Sequence, residues 1–97
     1  MLTIENIAMK LKPIFTNHDI KKAILFGSYA TGQAAIGSDV DLVIDSDING
    51  IPFLSLRIEL KDALDCDVDL ILRKWIDKES AIYNNVETQG VLIYEQS

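Results

Sequence analysis

The stretch Ala23-Ile24-Leu25-Phe26-Gly27-Ser28-Tyr29-Ala30-Thr31-Gly32, followed by Ser38-Asp39-Val40-Asp41-Leu42-Val43-Ile44-Asp45, decides the fold. Ala23 to Phe26 is a short apolar run stopped by Gly27, which reads as a buried strand. Ser28 is placed to cap a brief helical stretch that Gly32 ends. Gln33 to Ser38 reads as a loop, and Val40 to Asp45 as a strong strand. Strand, helix start, loop, strand is an α/β arrangement. A glycine-serine turn closes the first strand and acids open the next.

Side chains alternate along a strand, so Asp39 and Asp41 project from one face while Val40 and Leu42 point to the other. A second segment, Asp67-Val68-Asp69-Leu70-Ile71-Leu72, repeats the pattern. Two such strands side by side would gather the carboxylates. Like charges about 4 Å apart repel by roughly 4 kcal/mol at an effective dielectric near 20. A cation removes that cost, and an all-oxygen set favours the hard ions Mg²⁺ or Mn²⁺. Magnesium shares its remaining ligands with substrate phosphates. Gly27-Ser28 is either a simple turn or a phosphate site, because amides at a helix start can point at an anion and glycine permits close approach.

Outward from this centre, Thr3 caps a first helix whose apolar face is Ile4, Ile7, Ala8, Leu11, Ile14 and Phe15, with a kink or break expected at Pro13. Asn17 to Asp19 is a turn, as is Asp47 to Gly50. Pro52 to Leu64 mixes strand and helix signals; the shared face of Phe53, Leu56, Leu60 and Leu64 favours helix. Asp77 is expected to cap a last helix that ends near Gln89 and Gly90, before a short strand Val91 to Tyr94. The expected fold is therefore a small α/β (α+β) domain with a mixed sheet of about four strands, packed by helices on one side.

Composition narrows the function. The chain has 97 residues, 48% apolar and 25% charged, which predicts one globular domain over residues 1–97. Nine basic residues against 15 acidic ones give a net charge of −6, so direct nucleic-acid binding is not expected. The single Cys66 excludes an internal disulfide and a cysteine zinc site, and fits a reducing compartment. No apolar run approaches a membrane span and no leader is read at the N-terminus, which points to the cytoplasm.

Gly27-Ser28-Tyr29-Ala30-Thr31-Gly32, five residues, then Ser38-Asp39-Val40-Asp41-Leu42 resembles the signature of the minimal nucleotidyltransferases. These belong to the DNA polymerase beta-like nucleotidyltransferase superfamily. Asp69 matches the family's third carboxylate. The resemblance covers nearly the whole chain and implies the nucleotidyltransferase fold. It implies transfer of AMP, or another nucleoside monophosphate, from ATP with pyrophosphate leaving. Two Mg²⁺ ions, or Mn²⁺, would be held by Asp39 and Asp41, with Asp69 on the ion that acidifies the acceptor hydroxyl and able to take its proton. Gly27 and Ser28 would hold the β- and γ-phosphates. Small members resemble antitoxins paired with a HEPN-domain RNase toxin, some of which transfer AMP to a toxin tyrosine; the alternative is an antitoxin that neutralises the toxin by contact alone. The departure is Thr31, where the family often has arginine.

Other conspicuous residues have plainer readings. Asp67 borders the strand mouth and is a substitute candidate for Asp69. Ser38 shapes its loop, His18 sits in a surface turn, and Cys66 is a small buried apolar residue. Tyr29 either lines the nucleotide pocket or faces solvent. Trp75 is a packing anchor.

Overall fold

A computed structural model describes residues 2–96. Helix α1 covers Ile4–Asn17, strand β1 Lys22–Phe26, the one-turn helix α2 Ser28–Thr31 and strand β2 Val40–Asp45. Helix α3 covers Gly50–Leu64, strand β3 Val68–Leu72, helix α4 Ala81–Gln89 and strand β4 Val91–Glu95. The strands form one mixed sheet in the order β3-β2-β1-β4. β1 is antiparallel to both β2 and β4, while β2 and β3 run parallel. A parallel pair needs a crossover, and the 15-residue α3 provides it.

The alternation within each strand builds two unequal cores. On one face, Ala23, Leu25, Val40, Leu42, Ile44, Val68, Leu70 and Leu72 meet Ile7, Leu11 and Phe15 of α1 and Leu56, Leu60 and Leu64 of α3. On the other, Phe26 and Val43 meet Val86 of α4, with Ile24, Ile71 and Ile76 at the margin. The expectation of helices on one side is thus corrected: α4 covers the second face. That face offers only one apolar residue between the acids of β2, so it supports a small patch rather than a full layer.

Several local readings also change. Helix α1 runs on through Pro13, whose ring lies on the exposed side and removes a single backbone donor. Ser28 is the first helical residue of α2, and the cap position is Gly27. Pro52 is the third residue of α3, which starts at Gly50. Asp77 does not cap α4. Its carboxylate accepts from Glu79 N at 2.9 Å, in the turn before the helix. The cap is Ser80, whose hydroxyl accepts from Tyr83 N at 3.1 Å. Ser80→Ala should therefore cost roughly 1 kcal/mol and lower Tm by about 4–8 °C, while Asp77→Ala costs less; thermal melts of the two variants check the ranking.

The plainer readings fare better. Ser38 closes its own loop, its hydroxyl accepting from Ala35 N at 2.9 Å. His18 caps the end of α1 and bonds Glu59 on α3. Trp75 touches Phe53 with ring centroids 5.3 Å apart but is 59% exposed, so the expectation of a packing anchor is corrected to an edge contact. Tyr29 is a further exception: it is buried in the larger core, which corrects the expectation of a solvent-facing ring.

Candidate active site

The first two strands bring the glycine-serine turn to the acids. Phe26 is the cross-strand partner of Asp41, so Gly27 leaves β1 beside the Asp41 side chain. Its backbone sits at φ 74, ψ −152, a region in which only glycine is comfortable. A Cβ built on Gly27 would run into the Asp41 carboxylate. Glycine is therefore required twice, by conformation and by contact. Immediately after it, α2 begins. The first amides of a helix have no partner within it, so those at Ser28 and Tyr29 are free to meet an anion.

The parallel pairing completes the set. Asp41 and Asp69 are register partners across β2 and β3, on strands spaced about 4.8 Å apart. Both project to the sheet's second face, beyond the edge of the Phe26–Val43–Val86 patch. Asp41 is half-buried, and its carboxyl is pushed above the ordinary aspartate range. Burial is the largest cause; the charges of Asp69 and then Asp39 add to it. Among the described residues no Lys or Arg comes within 4.0 Å of Asp39, Asp41 or Asp69. The three acids thus crowd one another without a resident counter-charge.

The neighbouring acids do other work. Asp65 caps α3 in the left-handed conformation at φ 52, its amide donating to Lys61 O at 2.8 Å. Asp67 pairs with Lys61 at 3.3 Å. Lys61 was not singled out in the sequence, because its meeting with Asp67 depends on the turn through Asp65. Cys66 lies in the same bend and is only partly covered, not the buried residue expected; that partial burial, then Asp67, Asp39 and Asp65, push its thiol up. It is consequently a poor nucleophile.

The acids fit a divalent cation of the hard type. Among the described residues no three His, Cys, Asp or Glu side chains close around one point. Magnesium does not need that, since it takes one or two carboxylates and fills its shell with water and phosphate. Crowded oxygen donors beside the Gly27 turn match that habit. The Thr31 side chain adds no charge. Its hydroxyl turns back to Gly27 O at 3.3 Å and Ser28 O at 3.4 Å.

The comparisons with known proteins agree with this geometry. Residues 9–97 match the family described as polymerase beta, nucleotidyltransferase. Protein adenylyltransferase MntA of Thermococcus cleftensis is 35% identical over 81 residues, covering 75% of this chain and 80% of that protein. A Methanocaldococcus jannaschii relative named for the same activity is 37% identical over 78 residues, 75% of this chain and 78% of its own length. A crystal structure of a toxin-antitoxin with AMP-PNP superimposes with a TM-score of 0.79 at 26% identity, covering 93% of this chain and 74% of that one. The fold is also shared, at 22% identity and a TM-score of 0.73, with a Shewanella oneidensis complex of a tri-AMPylated HEPN toxin and its MNT antitoxin; the match covers 97% of this chain and 74% of that one. No helix among the described residues is long and apolar enough to cross a membrane. With its glycine-serine turn set against paired strand-borne acids, the chain belongs to the polymerase beta nucleotidyltransferase family.

Proposed function

We propose that this protein transfers AMP from ATP to a hydroxyl of a HEPN-domain partner protein, and so acts as the antitoxin of a toxin-antitoxin pair. The observation that carries the reading is the register pairing of Asp41 with Asp69 beside Gly27. It gathers acids and phosphate cradle within one strand spacing of each other. The relatives' names and the AMPylated HEPN toxin of the Shewanella complex support this choice of nucleotide and acceptor class. On this reading residues 1–97 act as one domain, in the cytoplasm.

In the assignment, Gly27 and Ser28 bind the β- and γ-phosphates through backbone amides and the Ser28 hydroxyl. Asp39, Asp41 and Asp69 would hold Mg²⁺, two ions by the family's habit. The bound metal supplies charge neutralisation for the triphosphate and an acidified acceptor hydroxyl. Asp69 takes the acceptor proton. The acceptor oxygen bonds to the α-phosphorus as the bond to the bridging oxygen breaks, and pyrophosphate leaves with that electron pair.

The test uses α-labelled ATP, Mg²⁺, this protein and a purified HEPN-domain partner. Label on the partner is the expected result. A tight complex that never acquires label would overturn the transferase reading in favour of neutralisation by contact. That second reading has one specific support: Thr31 leaves the cradle without a cation. The same feature yields a prediction. Thr31→Arg should tighten binding of a non-hydrolysable ATP analogue several-fold to about tenfold, since an exposed charge-assisted contact delivers the lower end of roughly 1.5–3 kcal/mol. Titration of wild type and variant in Mg²⁺ checks it. Equal or weaker binding would mean that this position faces away from the phosphates.

A further inference from the structure

A second cleft lies at the opposite end of the sheet from the acids. Asp45 shares the face of Asp39 and Asp41, but stands about 13 Å along β2 from Asp41 at the usual strand rise. Val43 and Val86 fill the space between. Beyond them, the end of β2, the 3₁₀ turn Arg73–Trp75 and the start of α4 enclose about 430 Å³ lined by Asp45, Arg73, Lys74, Ile76, Lys78 and Tyr83. That size suits a small ligand.

The charge there runs against the rest of the molecule. The chain holds 9 basic residues against 15 acidic ones, yet three of the nine line this one cleft. Arg73 bonds Glu87 at 2.7 Å, which anchors the turn to α4 and fixes the cleft's wall. Among the described residues neither Lys74 nor Lys78 has a carboxylate within 4.0 Å, Asp45 included. Lys10 and Lys12 of α1 also lack a carboxylate within that distance, but Lys74 and Lys78 line one hollow together. Tyr83 lies in the first turn of α4, where the helix's partial positive charge adds to the same field. Ile76 supplies an apolar wall.

We propose that this cleft is a second anion site, separate from the Gly27–Ser28 cradle, that takes the polyphosphate chain of a small ligand. Several spread cations match a chain of phosphates better than a single carboxylate, which one planar guanidinium already satisfies in Arg73–Glu87. The ligand is either an inorganic polyphosphate or a nucleotide triphosphate. The site is independent of the acceptor protein proposed above and needs no metal.

The experiment titrates the full chain with tripolyphosphate and with ATP by two-dimensional NMR, in EDTA. Without divalent ions the crowded acids repel anions from the Gly27 cradle, so only the second site reports. Shifts should map to Lys74, Lys78 and Tyr83, and should weaken as salt is raised. Lys74→Gln/Lys78→Gln should weaken binding at least about fivefold, as lost charge-assisted contacts require. Ser28→Ala should not. Equal binding of the two probes supports recognition of the phosphate chain; tighter ATP binding that Tyr83→Leu abolishes supports a nucleotide. No shifts with either probe up to about 10 mM, a limit of roughly −3 kcal/mol, would overturn the proposal. So would binding that the double lysine variant leaves intact.

Discussion

Asp41→Asn should cut nucleotidyl transfer by roughly a thousandfold and at the same time raise the melting temperature of the metal-free protein. The first effect follows from losing a carboxylate that both metal ions are assigned to share, a loss of the size seen for removal of one transition-state stabilising group. The second follows from the folded state itself. Burial, Asp69 and Asp39 all disfavour the charged form of Asp41. Its pKa is thus higher in the folded chain than the ordinary 3.8. The folded state then binds this proton more tightly than the unfolded state, so the contribution to stability falls as pH rises from 3.8 through the raised value. Above that value the penalty is fully present. The Asn variant carries no such penalty, so its advantage should be largest at neutral pH, a few degrees in Tm, roughly what a fraction of a kcal/mol gives in a domain of this size. It should shrink toward zero as pH falls toward 3.8. Paired melts across pH, with transfer assays, test both halves. A variant less stable than wild type at pH 7 would mean that Asp41 accepts stabilising contacts in the folded chain.

Gly27→Ala should be the most damaging single substitution in the phosphate cradle. The φ of 74 with ψ of −152 costs a residue with a Cβ about 1–3 kcal/mol. The new methyl also meets the Asp41 carboxylate, which is held between β1 and β3. Relief requires moving either the turn or the acid. Tm should drop by about 10 °C, toward the upper part of the range that such strain implies, and ATP-dependent thermal stabilisation in Mg²⁺ should disappear. Gly37 makes the control. It also has a positive φ, 89, but nothing lies near its missing Cβ. Gly37→Ala should therefore show the conformational cost alone and keep its response to ATP.

The same residues show how far the chain could be read before its structure was seen. A two-residue alternation is short-range, so Asp39-Val40-Asp41 and Asp67-Val68-Asp69 disclose their shared face directly. That Asp41 stands opposite Asp69 is a matter of parallel register, which rests on the length and seating of α3. The sequence leaves α3 itself ambiguous between strand and helix. The glycine-serine turn was legible from its place after a buried strand, yet Ser28 proved to be inside the helix, because a glycine already held the strained cap position. At α4, Asp77 and Ser80 are both good caps by type, and only the backbone path after the 3₁₀ turn decides between them. The second face was missed because its patch consists of single residues, Phe26, Val43 and Val86, contributed by three separate elements.

The strand order carries a kinetic consequence. β1 is central, flanked by β2 and β4. Its pairing with β2 closes over about 20 residues, but Lys22 meets Glu95 only across a separation of about 70. Loop closure of that kind makes folding slow relative to helical domains, in the millisecond-to-second range typical of non-local pairings. During synthesis the interval is longer still, since ribosomes add about 5–20 residues per second. Through those seconds Ala23-Ile24-Leu25-Phe26 presents an open, apolar strand edge, the kind of surface on which nascent chains aggregate. β4, made after the other three strands of this sheet, is thus the one that ends this exposure.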